Sequence, residues 1–263
     1  MTAARADDDT VGRRRGRTSS ASSTRRGTLA DGLPNAGVGC AGVNRGFSEE
    51  LRADADAIWQ AQHDHPVVRG IGDGSLPVER FARYMRQDYL FLIEYARVLA
   101  LGAARAPDLA TMRRFADLAG AILGTEMDLH RAFAAEFGIG REELEEERPD
   151  PETRAYTDFL VRVAATGDFA ELAAALLPCM WGYAEVAQRL AARGRPPEER
   201  YVRWVAMYAS EEFGALATWC RGLVDRLATG VGEEGRERMR RAFLTCSRHE
   251  LEFWDTAADP RPA

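Results

Sequence analysis

Lysine is absent from this chain. All 35 basic residues among its 263 are arginine, which excludes a Schiff-base lysine, a Walker-A phosphate lysine and a Ser-x-x-Lys nucleophile pair. Histidine is nearly as scarce: His63, His65, His130 and His249 are all there are, and no zinc motif can be assembled from them with cysteine at the usual spacing. The cysteines, Cys40, Cys179, Cys220 and Cys246, show neither CxxC spacing nor the density of a small disulfide scaffold. Reduced thiols in a cytoplasmic compartment are therefore expected. No apolar run approaches the length of a membrane-spanning helix, so no membrane partner is expected. A net charge of −6, a pI near 5.4 and the lack of a basic patch argue against nucleic acid as a partner.

What is present divides unevenly. Residues 1–46 hold eight Arg, four Asp, eight Gly and the run TSSASST, with almost no large apolar side chain. That segment carries +4 and the remainder −10. It cannot bury enough surface to offset its ordering entropy, and a disordered tail is expected. Arg25-Arg26 resembles a twin-arginine signal and Cys40 a lipoprotein cleavage site, but neither has the apolar core that export requires. A translation start near Val38 or Val43 is the alternative reading of the tail. Residues 47–258 form the expected single domain, and 259–263 a short C-terminal tail.

The domain reads as all-α, because no stretch alternates with period two and no hairpin turn separates β-branched runs. Ser48 is the expected N-cap of a helix running to about His63, and HPVVRGIGDGSLP reads as a loop. Pro77 opens a helix to about Ala106, and another runs from Asp108 to Phe137. A charged turn and linker, EELEEERPDP, precede helices over 152–166, 169–193, 197–229 and 233–257. About seven long helices joined by short polar loops make a bundle.

Chemistry-bearing side chains concentrate in a few of these helices. In LLPCMWGYAEV, Pro178 removes a backbone donor inside a helix, and Cys179, Tyr183 and Val186 share one face. A thiol beside phenols could be a nucleophile at an aromatic pocket or a packed core cysteine. QDYLFLIEYAR places Asp88 and Phe91 on one face with Tyr95 a turn further, and a buried acid needs a partner. HELEFW sets Glu250 and Trp254 at i, i+4. Tyr156 and Tyr208 add phenols in helical patterns. Aromatics to stack, carboxylates for ring nitrogens and a thiol to add to carbon suit a flat nitrogen-rich ring.

The order of QDYLFL, Glu126-x-x-x-His130, LLPCMWGYAEV, WVAMYASEEF and HELEFW resembles the TenA family, also called thiaminase II or aminopyrimidine aminohydrolase, in its cysteine-bearing branch. The resemblance covers residues 47–258 and implies a haem-oxygenase-like fold and a homotetramer. It implies a small-molecule substrate, an aminopyrimidine or thiamine, hydrolysed to 4-amino-5-hydroxymethyl-2-methylpyrimidine in thiamine salvage, with no metal or organic cofactor. Cys179 would be the nucleophile and Glu250 a proton shuttle. Asp88 would bind the exocyclic amine, Phe91 would stack where other members carry Tyr, and Tyr156, Tyr183 and Tyr208 would position ring and thiol. Tyr208 follows a one-residue insertion around RGRPPEER. Two rivals share the fold or the pocket. A di-iron oxygenase could draw on Glu126, His130, His249 and Glu250, but it wants more His or carboxylate ligands. A non-catalytic pyrimidine-binding regulator would have no need of the thiol.

Overall fold

Several helix starts follow directly from local side-chain chemistry. Asp108 accepts from the Thr111 N–H at 2.8 Å, Asp168 from the Glu171 N–H at 2.8 Å and Ser210 from the Phe213 N–H at 3.2 Å. Each satisfies an orphan donor of a first turn. The computed structural model describes residues 46–258, and among these it has twelve α-helices, one π-helical turn and no strand. The helices are α1 (Phe47–Asp54), α2 (Asp56–His63), α3 (Pro66–Asp73), α4 (Val78–Arg105), α5 (Leu109–Ala121), α6 (Met127–Glu136), α7 (Arg141–Glu146), α8 (Pro151–Thr166), α9 (Phe169–Arg193), α10 (Glu199–Tyr208), α11 (Glu211–Gly230) and α12 (Glu233–Ala258). The π turn, Ile122–Glu126, joins α5 to α6. The expectations for residues 1–45, including Cys40, and for 259–263 lie outside the described residues. No helix is long and apolar enough to cross a membrane among the described residues.

Four local expectations need correction. Gly46, not Ser48, is the N-cap of α1. Ser48 is instead buried in the first turn, where its N–H and hydroxyl donate to Asp225 at 2.7 and 3.2 Å and dock α1 on α11. The stretch read as a loop after His63 contains α3. His65 caps it by accepting from the Val67 N–H, Pro66 occupies the first turn, and Gly74 closes it at φ +81°. Gly70 is tolerated inside α3 because a Cβ there would stand 2.8 Å from the Leu76 backbone nitrogen. The helix expected over 108–137 is interrupted by the π turn, and that expected over 197–229 breaks at Ala209, where Ser210 caps a new helix.

Helix α9 packs against α10, α11 and α12 and also meets α8. Helix α4 packs on α5, α6 and α8 and also meets α12. Arg105 ties the end of α4 to the carbonyls of Ala164 and Gly167. The core holds many aromatic rings. Trp59 stacks on Phe243 at 6.0 Å, meets Trp181 edge-on and donates to Ser247 at 3.0 Å. Tyr84 lies flat on Trp254 at 5.3 Å. Each such ring buries roughly 150–250 Å², worth several kcal/mol at about 25 cal/mol/Å².

Candidate active site

Three residues of α4 face one way because they stand one and two turns apart. Asp88, Phe91 and Tyr95 line a cavity of about 440 Å³. Cys179 and Tyr183 enter it from α9, Tyr208 from the end of α10, and Glu126 from the π turn. The segment RGRPPEER links α9 to α10, with Gly194 at φ +123°, and Tyr208 at the far end of α10 reaches the wall. A groove of about 470 Å³ beside Arg83 and Arg86 has no comparable chemistry: its two guanidiniums are already paired with Asp150, Glu143 and Glu147.

The cavity wall is built from stacked rings. Phe91 packs on Tyr95 at 5.3 Å and on Tyr156 at 5.0 Å, and Tyr183 meets Tyr208 at 5.0 Å. Tyr156 and Glu250 do not line the cavity. They are buried behind Cys179, from α8 and α12, with the Tyr156 hydroxyl donating to Glu250 Oε1 at 2.6 Å. The Glu250 carboxyl and the Tyr95 hydroxyl both lie close to the Cys179 sulfur. Thus all seven residues expected at the site come together, five on the wall and two in support.

Burial dominates the electrostatics. It pushes the Glu250 carboxyl up to about 8, with the Asp88 charge adding to the rise, so Glu250 carries a proton at neutral pH. Burial also raises the Cys179 thiol well above its ordinary range, reinforced by the charges of Glu250, Asp88 and Glu126. A thiol raised in this way favours its protonated form at neutral pH.

Asp88 is held by residues whose roles are not apparent from their local sequence. His130 Nδ1 sits 2.9 Å from the Glu126 backbone carbonyl and Nε2 sits 2.7 Å from Asp88 Oδ2. Both ring nitrogens face acceptors. Burial alone would lower the imidazole, but the hydrogen bond and charge of Asp88 outweigh it and raise the pKa. Tyr84 adds its hydroxyl 3.4 Å from Asp88 Oδ2 and 3.3 Å from the Tyr183 hydroxyl, and it accepts from the Trp204 indole N–H at 3.3 Å. Tyr84 precedes Asp88 by one helical turn, and that i, i+4 spacing is the signal that could have found it. Tyr95 was visible on the Asp88 face but had no role until Cys179 was placed beside it.

The donor set does not suit a metal. No three His, Cys, Asp or Glu side chains converge to hold an ion among the described residues. His130 is engaged by Asp88, while His249 turns to Glu252 at 3.0 Å and stacks on Tyr156.

Comparison with known proteins identifies the family. The model of the TENA/THI-4/PQQC family matches residues 52–259. An aminopyrimidine aminohydrolase of Halalkalibacterium halodurans is 44% identical over 216 residues, covering 82% of this chain and 96% of its own length. One from Helicobacter pylori is 37% identical, covering 80% and 97%. Among solved structures, the TenA homologue of P. horikoshii OT3 superposes with a TM-score of 0.75 at 31% identity, covering 81% of this chain and 98% of its own.

Proposed function

The chain belongs to the TENA/THI-4/PQQC family, and on that premise we propose that it hydrolyses the bond between the 5-methylene of a 4-aminopyrimidine and a nitrogen leaving group. The product is 4-amino-5-hydroxymethyl-2-methylpyrimidine, returned to thiamine synthesis. The observation that carries this reading is the contact of one thiol, Cys179, with both a neutral carboxyl, Glu250, and a phenol, Tyr95, at the wall of an aromatic cavity.

An amine on a methylene attached to an intact aromatic ring is a poor leaving group. Adding sulfur to the ring carbon beside the substituted one removes the aromaticity that protects it. As the S–C bond forms, the thiol proton passes to Glu250, which gives its own proton to the adjacent ring nitrogen. A raised carboxyl suits this exchange because it can give and take a proton near neutrality. The 4-amino lone pair then expels the amine, leaving an exocyclic C=CH2 and an iminium whose charge faces Asp88. Water adds to the methylene carbon and its proton goes to the departing amine. Return of the ring proton to Glu250 breaks the S–C bond, and Cys179 regains its proton. Phe91, Tyr183 and Tyr208 hold the ring, and Tyr156 orients Glu250. No metal or organic cofactor enters the scheme.

The test is ammonia release from 4-amino-5-aminomethyl-2-methylpyrimidine by metal-free protein, run beside thiamine cleavage. Turnover of either supports the reading, and absence of both overturns it. We extend the proposal to a cytoplasmic homotetramer, in keeping with the free thiols Cys179, Cys220 and Cys246 and the family resemblance. Light scattering on purified protein checks the assembly.

A further inference from the structure

Glu126 is the acid of the cavity that the reaction above does not use. It lines the wall, is half-buried, and its carboxyl has no hydrogen-bond partner among the described residues. Its nearness to His130 in sequence is misleading. The imidazole bonds the backbone carbonyl of Glu126 and spends its other nitrogen on Asp88. A half-buried carboxyl that faces a cavity without a partner is left open for a ligand to satisfy. The π turn produces this placement, since Glu126 is its last residue.

The lining as a whole favours a positive guest. Asp88, Asp117, Glu126 and Glu212 face a single cation, Arg114, which sits over the Trp219 ring at 5.5 Å. Asp88 is already balanced by His130. We propose that Glu126 determines specificity by binding the cationic leaving group, the ammonium of the aminomethyl substrate or the thiazolium of thiamine, and so separates the charged substrate from the neutral hydroxymethyl product.

The site directs the substituent toward it. If sulfur meets the ring carbon beside the substituted one, Asp88 the 4-amino group and Glu250 the ring nitrogen beyond, the 5-methylene points into the arc between Asp88 and Cys179. Glu126 is within electrostatic reach of Asp88, Cys179 and Tyr208. Burial lifts its carboxyl to about 7, and an approaching cation holds it ionised. Once the amine has left, the alcohol offers no charge and is released more readily.

This inference rests on the proposed reaction but is tested by binding alone. In the Cys179→Ala protein, calorimetry measures affinity for the aminomethylpyrimidine and for the hydroxymethylpyrimidine. The cation should bind more tightly. Adding Glu126→Gln should weaken the cation roughly ten- to hundredfold and the alcohol less than about threefold, 0.7 kcal/mol or less. Glu126→Asp, which keeps the charge, should retain part of the preference. Equal loss for both ligands would make Glu126 a shape element of the cavity, and no loss for either, or no preference before the change, overturns the proposal. Failure of the proposed reaction shows separately, as absence of turnover in the unmutated protein.

Discussion

Glu250 and Glu126 are carboxyls whose pKa the fold raises, from 4.5 to about 8 and about 7, chiefly by burial. A raised folded-state pKa means the native chain retains protons that the unfolded chain has released. The stability they contribute is whole below about pH 4.5 and is lost as pH rises, through about 7 for Glu126 and about 8 for Glu250. Between pH 6.5 and 8.5 the melting temperature of the parent should fall, and Glu250→Gln should flatten that fall. An equally steep profile in the variant would place the titration elsewhere. Activity should follow the same group, since the proton donor is the neutral acid: kcat/KM should decline as pH passes about 8. Substitution separates chemistry from binding. Cys179→Ala should cut turnover at least about 10²–10³-fold while product affinity changes less than about tenfold. Glu250→Gln should cut turnover similarly, whereas Asp88→Ala, which removes a contact to the ring, should weaken affinity itself. Parent-like turnover by Cys179→Ala would make that thiol a packing residue. Cys179, Asp88 and Glu250 were legible in the sequence because each sits in a compact motif. The engagement of His130 with Asp88 was not, because it joins residues 42 positions apart.

Among the elements, the junction of α10 and α11 shows what a sequence reading catches and loses. The run from 197 to 229 is apolar at helical spacing throughout, so it reads as one helix. Ser210-Glu211-Glu212 nonetheless carries an N-cap followed by acids in a first turn, the local signal for a new start. The break places Tyr208 at the end of α10 and brings Ser210 onto the cavity wall. Ser210→Ala should cost about 0.5–2 kcal/mol, typical of a lost cap, and Ser210→Asp should restore most of it in thermal melts. A neutral alanine variant would mean that packing, not the cap, fixes the junction. The π turn at Ile122–Glu126 had no comparable signal, because one extra residue in a helical turn leaves the apolar pattern on either side intact. Helix α3 was hidden for the opposite reason: its glycines read as a loop, and only the close approach of Leu76 and Leu190 explains them.

At the scale of the molecule, the cavity is not an appendage of one helix pair. Its wall draws on α4, on α5 and the π turn, on α9 and on the α10–α11 junction, with α8 and α12 bracing Glu250 from behind. The all-α bundle was legible from periodicity, but this convergence was not, since it depends on how helices far apart in sequence cross. Because α9 and α12 also carry the aromatic core, the site and the fold should lose structure together. Thermal unfolding of the domain is therefore expected to be one cooperative transition that bound ligand shifts as a whole. Hydroxymethylpyrimidine at a hundred times its Kd should stabilise the native state by about 2.7 kcal/mol. For a domain of this size that corresponds to a rise of roughly 5–10 °C in Tm. The Cys179→Ala protein, which keeps the contacts to the ring, should show the same rise. Asp88→Ala at the same ligand concentration should show a smaller one. Scanning calorimetry of the three proteins with and without ligand makes the comparison. A ligand that sharpened or moved only part of the transition would show that the cavity melts apart from the bundle, and that the aromatic core does not couple the two.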